Sequence, residues 1–482
     1  MKINFIRSLF KRNHVWKVPS EKNETSEILE KNGSNWMQFV AVISVSTMSI
    51  ASGAFEMWLS PALPHLISDD FKFKVTSDEI SWVVSLFNVG EIFGFLIHPF
   101  LINRIGRKYT LLASALPQFI ASLILFMADD VSMLYAARIV GGIGFGAGGV
   151  AQNFYISEIA DKNIRGRLGA IPALGFLIGT ISILVTGAFT TYNGMNLTIM
   201  CFPLIFMATF SFMPESPYFY LQRNQDEEAL KVLSKFKGVN DTQTLKLEIS
   251  KIKEVIIEDR RNKKFVLRSL IENKRHRKSL IIVAILKIAV VFSGARVIAT
   301  YFQVIFSYTG FTLGPQYIML IMAPTVAILI VPTILLVDII GRRLVILYSS
   351  IACSLSLLIV GCFFFWKSHI DSNDMNIFSW IPLIALVVLD IGCIALAATA
   401  GVLGVELFSI QIKSTALTVL FLEGQLLEFL TKFTFENLTN NIGIHGTFWI
   451  YCVLCFVFSL AGFFVTPETK GKTLEEIQLL LD

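Results

Sequence analysis

Apolar residues dominate twelve stretches of the chain, separated by short polar breaks and by one long polar interval. The stretches are 37–59, 80–101, 110–128, 131–153, 168–188, 195–213, 279–300, 315–337, 344–366, 378–402, 414–434 and 446–466. A hydrocarbon core about 30 Å thick takes about 20 residues of helix to cross. None of these runs alternates apolar and polar positions as barrel strands do. Backbone in lipid must satisfy its hydrogen bonds within the segment, so the pattern predicts an all-α membrane protein of twelve transmembrane helices. The interval 214–278 divides them six and six. It holds helix-patterned polar stretches such as Asp226–Lys237, which predict surface helices under the bundle; a disordered linker is the alternative. The expected organisation is a tail at 1–36, a six-helix bundle at 37–213, a linker at 214–278, a second bundle at 279–466 and a tail at 467–482.

Composition narrows the class further. AVILMFWYC residues make up 54% of the 482 positions and charged residues only 16%, with a mean hydropathy of +0.64. That excludes a disordered chain, and a soluble fold would have to expose apolar patches far beyond tolerated size. Lys and Arg exceed Asp and Glu by only five, which gives no footing for nucleic acid. Their placement says more. With the N-terminus inside, the outer connections carry only Lys72, Lys74 and Lys367, and Arg138, Lys287, Arg296 and Lys432 fall within spans. All other Lys and Arg lie on one side, so both termini are expected in the cytoplasm. Residues 1–35 are polar and basic and are not a cleavable signal. The six cysteines lie in apolar runs and read as small hydrophobes; neither disulfides nor a metal site is expected.

Three short patterns occur twice. Asn103-Arg-Ile-Gly-Arg-Lys108 returns as Asp338-Ile-Ile-Gly-Arg-Arg343, Glu158 with Arg165 returns as Glu406 with Lys413, and Pro214-Glu-Ser-Pro217 returns as Pro467-Glu-Thr-Lys470. The copies lie about half a chain apart, in order, at equivalent inner loops. This argues for two pseudo-symmetric halves with a central site between them. A Gly followed by two bases at a helix junction places cations where they can reach an acid on a neighbouring helix.

With Asp78-Glu-Ile-Ser-Trp82, Tyr155-Ile-Ser-Glu158, Glu406-Leu-Phe-Ser409 and the motifs above, the chain resembles the sugar porter family of the major facilitator superfamily over roughly 37–478. Within it the chain is similar to insect facilitated trehalose and hexose transporters. The resemblance implies a major facilitator fold and an ion-pair gate at the cytoplasmic mouth. Arg107, Lys108, Glu158 and Arg165 would serve the first half, and Arg342, Arg343, Glu406 and Lys413 the second. Plain positive-inside anchoring is the alternative. Ile339 and Lys413 stand where the family usually has Arg, and Lys lacks the bidentate fork.

The resemblance places the substrate cavity at positions where the family reads sugar hydroxyls with side-chain amides. Here those positions hold Ala173, Val290, Val291, Arg296, Val326, Gln425 and Glu428. Charges replace amides. Lys287 lies one turn before Val290 and Val291, and Glu56, Asp390 and Glu423 also fall within spans. A charge at this depth needs a partner or a cavity, so Arg296 is expected to pair with Glu428 and Lys287 with Glu423. The pairs read either as an altered substrate site or as structural ion pairs. Arg138 matches the family Arg that contacts the first span. Proton-coupled members carry Asp at the position of Ala54, and Glu56 lies about 200° further round the helix; facilitated diffusion is therefore expected. Asn437-Leu-Thr439 is a candidate glycosylation site in an outer loop, whereas the sequons at Asn23, Asn32 and Asn240 face the cytosol.

The expected function is transport of a sugar, hexose or trehalose, across the plasma membrane by alternating access. No enzyme chemistry, cofactor or metal is implied, and the partners are a small-molecule substrate and the bilayer. The sequence does not fix the oligomeric state; a monomer suffices. Three alternatives stand: a carrier of an anionic solute using Arg296, a proton-coupled symporter, and a nutrient receptor that no longer transports.

Overall fold

The computed structural model describes residues 35–69, 71–161, 163–239, 241–262, 270, 272–311, 313–369, 378–408, 410–472 and 476. Most of both tails, Ser409 and the sequons at Asn23, Asn32 and Asn240 lie outside the described residues. Among the described residues all regular structure is helical.

The first half comprises α1 (Trp36–Met57), α2 (Leu59–Ile67), α3 (Ser77–Arg104), α4 (Arg107–Met127), α5 (Val131–Ile159), α6 (Arg165–Phe189) and α7 (Tyr192–Phe210). Short helices α8 (Pro217–Gln222), α9 (Asp226–Lys237) and α10 (Thr242–Asn262) follow. The second half comprises α11 (Lys274–Phe292), α12 (Ala295–Ser307), α13 (Pro315–Ile340), α14 (Arg342–His369), α15 (Trp380–Glu406) and α16 (Ile410–Val465). Among the described residues, ten segments are long and apolar enough to cross a membrane. One of them turns at Gly443 and so crosses twice, and the 26-residue α13 supplies another crossing. The twelve spans thus have twelve helical counterparts. Polar side chains set several starts: Thr76 and Glu79 form a capping box on α3, and Asp130, Thr191 and Asn273 cap α5, α7 and α11.

Two spans differ from expectation. The first continues beyond residue 59 to Ile67, because α1 and α2 run on with only Trp58 between them. The seventh is two helices, broken at Ser293–Gly294. The break lets α12 restart beside the central axis with Arg296 in its first turn.

The linker helices form the surface layer that the polar pattern predicts. Leu221, Ala229, Leu233, Leu245, Ile249 and Ile252 make a small core of their own. This layer is tied to the first half: Lys237 meets Asp161 at 3.2 Å and Glu248 at 2.6 Å, and Gln38 donates to the Phe236 carbonyl at 3.3 Å. The end of the bundle bearing α8–α10 is the linker face, and the opposite end the far face.

Burial separates the two ends. Toward the far face one continuous apolar core contains Phe55, Trp58 and Leu134 of the first half together with Tyr301, Phe306 and Phe364 of the second. Toward the linker face there are two cores: one runs from Met37 to Phe236, the other from Leu270 to Leu420. The halves share one core at one end and keep separate cores at the other, with Phe95 of α3 stacked on Phe421 of α16 at 4.3 Å between them.

Close helix contact inside the first half rests on the glycines that crowd the fourth span, where the sequence predicts packing through small residues. A Cβ on Gly142 would stand 2.3 Å from the Phe87 carbonyl oxygen, and one on Gly146 2.3 Å from that of Glu91, so α5 lies directly against α3. Gly144 and Gly148 face the other way, onto Ser114 of α4 and Met48 of α1. Such small-residue seams hold helices together in lipid, where no hydrophobic gain separates lipid from protein. Gly142→Ala is expected to destabilise the detergent-purified protein by about 1–3 kcal/mol, the usual range for overpacking. Gly149→Ala, with open space at that position, should melt with the parent in the same thermal scan.

Candidate functional site

The repeated motifs build two matching junctions at the linker face. Gly106 (φ +94°) and Gly341 (φ +103°) hold backbone that L-residues rarely adopt, and each starts a helix immediately afterward. The new helices expose unpaired N–H groups at their positive ends. Glu215 accepts from the Arg107 and Lys108 N–H groups at 3.0 Å. Glu468 accepts from those of Arg342 and Arg343 at 3.1 Å. The residue after each carboxylate completes the junction: the Ser216 hydroxyl donates to Glu158, and the Thr469 hydroxyl to Glu406 at 2.7 Å. Those same acids take the arginines, Arg107 to Glu158 at 2.7 Å and Arg342 to Glu406 at 3.0 Å.

The two junctions differ in their electrostatics. Burial pushes the Glu215 carboxyl above its ordinary value, against the pull of its N–H donors and Arg107. At Glu468 burial acts in the same direction, but N–H groups of Lys470, Arg343, Arg342 and Thr469 hold the carboxyl below its ordinary value. The remaining expected gate cations bind elsewhere. Lys108 donates to the Ser211 carbonyl at 2.7 Å, Arg343 to that of Phe463 at 3.3 Å and Arg165 to that of Ala160 at 3.3 Å. Among the described residues, Glu406 pairs with Arg342 and not with Lys413. The motif acids Glu215 and Glu468 are visible as a repeat, yet their role as helix-start acceptors depends on a contact more than a hundred residues away in sequence.

Midway between the faces lies a second cluster. Arg296 Nη1 meets Glu56 at 2.7 Å and its Nε meets Glu428 at 3.2 Å. Glu428 also meets Lys432, one turn on, at 3.6 Å. Lys432 donates to the Asn88 side-chain oxygen at 3.0 Å. The Asn88 amide nitrogen in turn reaches Gln425 at 2.7 Å, Glu91 at 3.2 Å and Glu428 at 3.4 Å. Arg138 completes the cluster. Its guanidinium donates to the Val83 carbonyl at 3.1 Å and lies 4.5 Å from the Phe87 ring centre, with Phe55 and Trp58 beyond. Its near contacts are aromatic faces and carbonyls, with Glu56 and Glu91 acting on it from further off, and Ala54 is fully buried.

The cluster brings together three acidic side chains (Glu56, Glu91, Glu428) and three basic ones (Arg138, Arg296, Lys432). A cavity opens beside it, lined among others by Glu56, Phe87, Arg138, Arg296, Thr300 and Lys432. The Arg296 side chain is 60% exposed to this space despite its two partners, and that of Glu56 21%.

Of the expected cavity residues, the structure brings Arg296, Gln425 and Glu428 into this cluster. Val290, Val291 and Val326 are half-buried and Ala173 is exposed, and none of them lines this cavity. The expected Lys287–Glu423 pair does not form. The Lys287 ammonium donates to the Leu420 carbonyl at 3.2 Å, one turn short of Glu423, so a backbone oxygen takes the place of the carboxylate. Asn437 is not in a loop. It is exposed on α16 within continuous helix, where Asn441 donates to its carbonyl at 2.8 Å, and the turn comes only at Gly443. Asn88, Glu91 and Lys432 carry no motif signal; only their intramembrane position sets them apart. His98 is buried, bonded to the Ala147 carbonyl at 3.2 Å and stacked on Phe154.

A family model described as sugar (and other) transporter matches residues 8–481. A facilitated trehalose transporter, Tret1, of Apis mellifera ligustica is 29% identical over 446 residues, covering 92% of this chain and 88% of the relative. The Tret1 of Drosophila yakuba is 28% identical over 92% of this chain, which spans about half (52%) of that longer relative. Among solved structures, the inward-open xylose transporter XylE of E. coli superposes with a TM-score of 0.75 at 20% identity, covering 92% of this chain and all of that one. A D-xylose–proton symporter superposes with a TM-score of 0.69 at 17% identity, covering 91% of this chain and all of that one.

The side chains of Arg107 and Glu158 are 5% and 10% exposed, against 12% and 20% for Arg342 and Glu406. Stranding one partner of a buried pair costs about 3–5 kcal/mol, and less where water reaches it. Arg107→Ala is therefore expected to lower the melting temperature more than Arg342→Ala, which thermal unfolding of the two purified variants would compare directly.

Proposed function

The chain belongs to the family of sugar (and other) transporters, and on that premise we propose that it carries a neutral sugar, hexose or trehalose, across the plasma membrane by alternating access and facilitated diffusion. Both tails are cytoplasmic in this reading, so the linker face is the inner face. The halves 37–213 and 279–466 move against each other as units, and the structure corresponds to a form closed outside and accessible from inside. The observation that carries the reading is the unequal sealing of the two ends: one shared apolar core at the far face, two separate cores at the linker face. A cavity between two such halves is exposed to one compartment at a time.

The chemistry of the cluster supports a polyhydroxylated substrate, because it offers hydroxyls both kinds of partner. A guanidinium donates, a carboxylate accepts, and together they replace what a neutral amide does alone. The surroundings of Arg138 support uniport. Proton-coupled relatives place a titrating carboxylate on the first span where this chain has Ala54, and rings and carbonyls surround the guanidinium here. The paired junctions at the linker face brace the moving units, each carboxylate holding its own half rigid while the halves part.

Radiolabelled trehalose and glucose uptake into proteoliposomes tests this. Saturable uptake that stops at equal concentrations and ignores a proton uncoupler is expected. Absence of flux, or accumulation that follows an imposed pH gradient, would overturn it.

A further inference from the structure

The central cluster contains a division of labour that the family reading does not supply. Both cations of the second half, Arg296 and Lys432, have two partners each. One is shared and lies in their own half: Glu428, at 3.2 Å from Arg296 and 3.6 Å from Lys432. The other lies across the interface: Glu56 for Arg296 at 2.7 Å, and Asn88 for Lys432 at 3.0 Å. Relative motion of the halves lengthens the second kind of contact and leaves the first intact.

We propose that Glu56 is the outer latch of the transport cycle: its bond to Arg296 holds the far side shut, and Glu428 is the retained partner that makes the latch reversible. The inference rests on the alternating-access reading. Its logic is electrostatic. An arginine with a single partner could not release it at this depth without becoming an unpaired charge. Arg296 keeps Glu428 when Glu56 departs. Glu56 departs only as the far side opens, so the water that enters takes over its solvation. The exposure of the pair to the cavity leaves room for that water around the freed carboxylate. Asn88 follows the same plan from a neutral side chain, letting go of Lys432, Gln425 and Glu428 while keeping Glu91 on its own helix. Immediately beyond Glu56 on the far side, Ser60 of α2 is buried against Met319 of α13 at 3.1 Å, a contact between the halves that opening must break.

Ser60 therefore supplies the reporter. In sealed proteoliposomes carrying Ser60→Cys, a membrane-impermeant maleimide applied to the far face reads how often that side opens. Labelling of the same protein without Ser60→Cys gives the background from native thiols such as Cys201 and Cys362, both exposed. Glu56→Gln should raise the labelling rate above that background on the order of five-fold, the effect of losing one partly exposed ion pair. Glu56→Asp, which keeps the charge but shortens the reach, should fall between. Equal rates in the parent and in whichever of these variants elutes as folded protein would overturn the latch. Sugar uptake by the protein with Glu56 intact, measured in the same vesicles, separates the two ideas. No uptake defeats the transport reading, whereas uptake with flat labelling defeats the latch alone.

Discussion

Charge held at the depth of a bilayer core must be compensated from within the protein, and the architecture follows from how this chain arranges it. Six ionisable side chains converge between the halves, three of each sign. Lipid offers them nothing, so they face one another, backbone carbonyls, aromatic rings and a small wet cavity. That requirement places α12 at the axis. The break at Ser293–Gly294 turns the seventh span so that its second helix begins beside α1 and α16. It also explains why so much apolar mass gathers beyond the cluster at the far face, since a desolvated network holds better under a seal.

The linker face answers the same constraint differently. There each half deals with its own charges: a glycine turn, a helix start, a carboxylate accepting from it, and a second acid taking the arginine. Nothing in that arrangement needs the other half. One end of the molecule is thus organised to join and the other to part, and the pseudo-symmetric repeat supplies two self-contained units for the purpose.

The fold is legible in the sequence because its signals are long. Twelve apolar runs and a motif repeated at matched loops survive errors of several residues at any boundary. The Arg296–Glu428 contact is legible too, since both are charges imposed on spans that must bury them. What escapes depends on three-dimensional register. In sequence Glu56 resembles a misplaced substitute for an acid at position 54, yet it serves Arg296 rather than Arg138, and only the placement of one half against the other reveals that. Asn88 and Glu91 sit in an ordinary apolar helix and acquire meaning only from Lys432, hundreds of residues later. Lys287 shows the opposite failure: the expected carboxylate, Glu423 on another span, stands one turn from the contact, and the main-chain oxygen of Leu420 takes the hydrogen bond. The Asn and Thr residues around position 437 read as a loop, but the helix runs through them to Gly443, with Thr434 and Asn441 bonded back to its carbonyls.

The carboxylate clasps also bear on how the molecule is made. Glu215 follows the sixth span and reaches back 108 residues to the start of α4, and Glu468 follows the twelfth and reaches back 126 to the start of α14. Neither clasp can close until every span of its half has left the ribosome. Each half therefore carries its own completion signal at its trailing end: until the last acid emerges, the helix start it will hold stays open to water and to quality-control factors.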